Sequence, residues 1–170
     1  RADTASVAQP AIRDSLQKYY RAETTTGFLF VALGLASALT GAVLATRDSD
    51  VARGLGWSMI GFSAIGLLGG GGYARQSFID KQEYADKLSR EPDLFKRAEQ
   101  THMQTRMSRY SFYRMTEFGL MLAGTALAFY ALGANRDALK GAGIGIAIEA
   151  LAFFSIDTFG HFQTRRYQAQ

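Results

Sequence analysis

The chain has 170 residues, a formal net charge of +4 and no cysteine, which excludes disulfides, thiolate metal sites, haem attachment through paired cysteines and thiol redox chemistry. One fifth of the residues are charged, yet the charges avoid residues 27–45, 54–73 and 118–134 and enter 141–160 only as Glu149 and Asp157. At about 1.5 Å per residue each stretch covers most or all of a hydrocarbon core of roughly 30 Å. A soluble surface helix would keep a polar face, so the pattern predicts an all-α, polytopic membrane protein with four membrane helices.

Residues 1–10 are small and polar and are expected to lack fixed structure. The small residues at 5–11 resemble the region after a cleaved signal, but the charged, apolar and cleavage parts of a signal do not occur together. Pro10 suits the first turn of a helix, and residues 11–23 then place Ile12, Leu16, Tyr19 and Tyr20 on one stripe. With Lys18 and Arg21, these tyrosines are the types that anchor at a membrane surface; the same stripe could equally pack on the chain's own extramembrane part.

Residues 27–45 and 54–73, joined by a short polar loop, form a first predicted hairpin. Gly66 and Gly70 are spaced to admit a neighbouring helix closely, as are Gly141 and Gly145 in the fourth helix. The four consecutive glycines at 69–72 lack the preceding strand and following Lys-Ser/Thr of a phosphate loop.

Residues 74–116 are charged and read as two helices broken at Glu91-Pro92, with Asp93 expected to cap the second. That helix carries Phe95, Ala98, His102, Met103, Met107 and Tyr110 along one face. Lys96, Arg97, Arg106 and Arg109 are expected on a face toward water or headgroups, and basic character of this kind gives no reason to expect a nucleic-acid partner. The second hairpin, 117–160, holds the third and fourth helices, and a basic tail, 161–170, follows.

Three matches in order suggest that the hairpins are tandem copies. Tyr20-Arg21 with Glu23 parallels Tyr113-Arg114 with Glu117, Arg47-Asp48 parallels Arg136-Asp137, and Arg53-Gly54-Leu55-Gly56 parallels Lys140-Gly141-Ala142-Gly143. The short loops hold only Arg47, Arg53, Arg136 and Lys140 of the 19 basic residues. The positive-inside rule therefore puts both termini and the middle in the cytoplasm, as in a bacterial inner membrane.

Candidate chemistry is sparse. Glu149 falls near the centre of the fourth helix, where a carboxylate is costly and is usually paired, protonated or set in a polar cavity. Asp157 and His161 follow on the same broad stripe, so the three could form a proton path. The plainer reading is a carboxyl hydrogen-bonded to a neighbouring helix, for example at Thr125 or Tyr130. Glu99 and His102 have the spacing of one half of a helical di-iron site, but no second copy and no further Glu set accompanies them, so no metal site is expected. Tyr110, Phe112, Tyr113, Phe118, Phe153, Phe154, Phe159 and Phe162 gather near the predicted cytoplasmic boundary, as anchors or as a lipid, quinone or pigment pocket; no cofactor is assigned. The expected role is a non-catalytic structural or accessory subunit embedded in the bilayer, with other membrane subunits or further copies as partners. The alternative is a small self-associating transporter or channel with Glu149 in the path.

Overall fold

The computed structural model describes the backbone of residues 2–168; the side chains at 2–9, 11, 92, 93, 96 and 168, and with them the placements expected for Lys96 and the Asp93 side chain, lie outside that description. Four helices make up the fold, α1 (Ala2–Ala45), α2 (Asp50–Arg90), α3 (Pro92–Gly133) and α4 (Asp137–Gln168), with no strand among the described residues. All four are long and apolar enough to cross a membrane. Their surfaces agree, since large apolar side chains such as Leu68 and Phe129 are 79% and 71% exposed, an arrangement that lipid favours and water does not.

Two helix starts differ from expectation. α1 begins at Ala2, so Pro10 lies within the helix rather than opening it; Ala2, Ala5 and Ala8 are strong helix formers and carry the pattern backward. α3 begins at Pro92, with Glu91 rather than Asp93 in the cap position. Proline suits that first turn because its missing amide hydrogen would be unpaired there anyway. Glu91 alone separates α2 from α3, and its amide donates to Lys87 O at 2.8 Å. At the opposite ends Ser49 caps α2, and Asn135 takes a φ of 53° in the turn before α4, a conformation asparagine tolerates better than most residues.

α1 packs on α2, α3 on α4, α2 on α4 and, less closely, α1 on α4, whereas the backbones of α2 and α3 approach little and those of α1 and α3 stay apart, so that those two pairs meet through long side chains. Glycine sets the close approaches, since without a hydrophobic driving force between helices in lipid, association depends on backbones coming near enough to pack. Gly66 lies against Gly34 and Phe30, and Gly70 against Gly27 and Phe30, all on α1. Between α2 and α4, Gly54 sits over Ala138, Gly141 over Val51, and Gly145 over Ser58 and Leu55. Thus Gly66, Gly70, Gly141 and Gly145 all serve contacts inside the chain.

Beyond the apolar spans, Leu16, Tyr19, Tyr20, Tyr84, Leu88, Phe95 and Met103 form a buried core drawn from α1, α2 and α3. Burying each large side chain contributes about 1.5–3 kcal/mol. Residues 11–23 therefore pack on the chain itself, leaving Lys18 and Arg21 exposed. Phe112, Tyr113, Phe118, Phe159 and Phe162 remain outward as an aromatic belt suited to a membrane interface, whereas Tyr110 and Phe153 are buried.

Candidate functional site

Because α2 and α3 diverge below their shared turn, they leave a cleft of about 1720 Å³ between them. Phe62, Ile65, Phe153 and Leu120 line its apolar end, Tyr73, Glu117 and Asp157 its middle, and Lys87, Arg97 and Arg109 its charged end. It spans the change from apolar to charged sequence.

Arg106 organises the polar side of this cleft. It is 8% exposed, contrary to its expected place on a solvated face, because it falls one turn from His102, Met103 and Tyr110 on the buried stripe. Its guanidinium pairs with Glu23 of α1 and, at 2.7 Å, with Asp80 of α2, while Nε donates to His102 Nε2 at 2.9 Å. Burial, followed by the adjacent Arg106 charge, lowers the His102 pKa, consistent with a neutral ring accepting that bond. Glu23 also accepts from Tyr73, from Tyr110 at 2.9 Å and from Thr164 of α4 at 3.4 Å. All four helices thus meet at one carboxylate, and each charge-assisted bond contributes about 1.5–3 kcal/mol.

A second polar group lies at the level of the aromatic belt. Glu117 and Asp157 are 9% and 5% exposed and stand within hydrogen-bonding reach of each other, with Arg114 as the nearby cation. The Arg114 guanidinium covers the Phe154 ring at 5.2 Å. Glu117 Oε2 has no partner. His161 is buried against Tyr110, ring centroids 6.2 Å apart, and its Nδ1 is unpartnered.

No protein-family model matches the chain, and no curated protein or solved structure matches it. The site is therefore read from its own geometry.

Glu149 is separate from both groups. Its Oε1 accepts from Ser37 of α1 at 2.7 Å; the partner is neither Thr125, whose hydroxyl donates to Met121 O, nor the exposed Tyr130. Glu149 thus engages α1 and does not line the cleft, whereas Asp157 does and His161 meets α3. The helical stripe that joined the three in sequence is broad enough to reach two different neighbours. Glu23, Asp80, Arg106 and Glu117 were not singled out for chemistry, although Glu23 follows Leu16, Tyr19 and Tyr20 at helical spacing and was legible as a charge on a buried face.

Glu99, in α3, is 7% exposed, and neither of its carboxyl oxygens has a hydrogen-bond partner. Burial pushes its pKa from 4.5 up to about 7, with the neighbouring Tyr167 hydroxyl and the Arg106 charge offsetting only part of the cost. A raised folded-state pKa gives stability that is fully present below the unfolded value and lost as pH rises through the folded one. Between about pH 4.5 and 7 this residue should therefore lose about 2–3 kcal/mol of stability. Glu99→Gln is expected to remove that slope and to melt higher than the native chain at pH 8, as read from thermal unfolding at both pH values.

Proposed function

We propose that the chain is a non-catalytic subunit of a larger assembly in a bacterial inner membrane, with both termini and residues 74–116 in the cytoplasm. The observation that carries this reading is a set of glycines with no use inside the chain. Gly61 on α2, and Gly119 and Gly133 on one side of α3, fall in apolar spans where an added Cβ would meet nothing. Glycine inside a helix costs about 0.5–1 kcal/mol relative to alanine, and at Gly61 and Gly119 no contact within the chain offsets it. A second chain approaching closely would.

The same reading takes residues 27–73 and 117–160 as tandem copies. Gly56 lies against Gly41 and Ala45, and Gly143 lies against Gly124 and Ala128 through the same atoms; Gly54 and Gly141 answer each other across α2 and α4. The leading segments do not follow this register, since Tyr113-Arg114 lies about three turns nearer Gly124 than Tyr20-Arg21 lies to Gly41. Duplication is thus supported for the apolar hairpins and not for the helices that lead into them.

A conducting role for Glu149 has less support, because that carboxyl is tied to Ser37 away from the cleft. Extraction from native membranes in mild detergent, followed by native mass measurement, separates the two readings. Different polypeptides in fixed ratio, lost when Gly61 or Gly119 becomes Leu, are expected; a particle containing only this chain would sink the subunit reading.

A further inference from the structure

We propose that Glu99 makes the seating of α4's outer turns, residues 161–167, on α1 and α3 a proton-controlled latch, closed while its carboxyl is protonated and released when it ionises. The inference does not depend on the subunit reading.

Position comes first. Glu99 lies one turn from Phe95 and one turn from Met103 on the same face of α3, and both belong to the buried core that Leu16, Tyr19, Tyr20, Tyr84 and Leu88 complete. Tyr167 of α4 packs against that core. Charged and titratable groups act on Glu99 from every helix: Tyr20 of α1, Asp80, Tyr84 and Lys87 of α2, Arg106 of α3 and Tyr167 of α4. Both oxygens of Glu99 and the hydroxyl of Tyr20 are buried without a hydrogen-bond partner. Such a place suits a neutral group and penalises a charged one.

The cations among these groups are engaged elsewhere. Arg106 pairs with Glu23 and Asp80 and donates its Nε to His102, and Lys87 binds Glu83 at 2.6 Å. The Tyr167 hydroxyl offers one donor, which offsets less than burial costs. An ionised Glu99 is therefore best stabilised by water, and lifting α4's outer turns admits water with the least disruption. Side chains hold those turns to α1: Tyr167 stacks on Tyr19 with ring centroids 4.5 Å apart, and Thr164 reaches Glu23 at 3.4 Å. The other neighbours are fixed more firmly, α1 to α2 by the backbone contacts of Gly66 and Gly70, and α3 to both through Arg106. A carboxyl that titrates at 4.5 when released and at about 7 when seated favours the closed latch at low pH. The seated-to-released ratio should then fall about 70-fold between pH 5 and pH 8.

Because the chain has no cysteine, spin labels can be attached at chosen positions in the full chain in nanodiscs. Ser89→Cys with Arg166→Cys, both exposed, reads the seat of α4 against α2; Ser89→Cys with Gln17→Cys, also exposed, reads the α1–α2 packing as a reference. The first pair is expected to give one narrow distance distribution at pH 5 and a longer, broader one at pH 8, with the reference pair unchanged. Glu99→Gln should keep the narrow distribution at both pH values, and Tyr167→Ala should show the broad one at both. A first pair unmoved by pH would overturn the proposal, as would a pH response that survives Glu99→Gln and so belongs to another group such as His102. A reference pair that broadens together with the first would also refute it, because the whole bundle would then be opening.

Discussion

Arg106→Leu is expected to destabilise the chain by about 3–5 kcal/mol, the largest effect of any single charge removal in this structure. The variant leaves Glu23 without its cation, although that residue is 1% exposed, and strips Asp80, at 5%, of its strongest partner. Breaking one member of a buried ion cluster costs more than deleting the whole cluster, because the remaining charges stay out of water uncompensated. Replacing Glu23, Asp80 and Arg106 together by leucine should therefore recover much of the loss. Thermal unfolding in detergent, followed by circular dichroism, checks both statements. A single variant that melts within a degree or two of the native chain would show that the ion pairs contribute little.

Gly141→Ala is expected to cost more than about 3 kcal/mol, beyond the usual range for overpacking. A Cβ there would overlap Val51 O, and the reciprocal change at Gly54 would overlap Ala138 O. The obstructing atoms are backbone, so no rotamer change relieves the clash, and α2 must separate from α4 along the seam that joins the two hairpins. Gly61→Ala is the matched control, since its methyl meets nothing; it should be neutral or gain up to about 1 kcal/mol in the isolated chain. Similar unfolding temperatures for the two alanine variants would refute the close crossing.

The four helices were legible because lipid imposes a simple rule on length and charge, and residues 27–45 and 54–73 obey it without exception. The fate of residues 11–23 was not legible, since one apolar stripe serves a membrane surface or a protein core equally well; contact with Tyr84, Leu88 and Phe95 decides it. Arg106 misled for a different reason. Periodicity puts it on the stripe of Met103 and Tyr110, but burying a guanidinium requires acids from other helices, and nothing local announces that Glu23 and Asp80 arrive from α1 and α2. The choice of Ser37 as the partner of Glu149 rests likewise on a contact across 112 positions, beyond the reach of any local pattern.

That same contact bears on how the chain enters its membrane. A central carboxylate makes an isolated span about 2.5–3.5 kcal/mol harder to insert, and the hydroxyl that receives it belongs to a span synthesised earlier. Ser37 is therefore already in the bilayer when α4 leaves the translocon, and α4 completes its integration against α1. The earlier helix acts as a template for the later one.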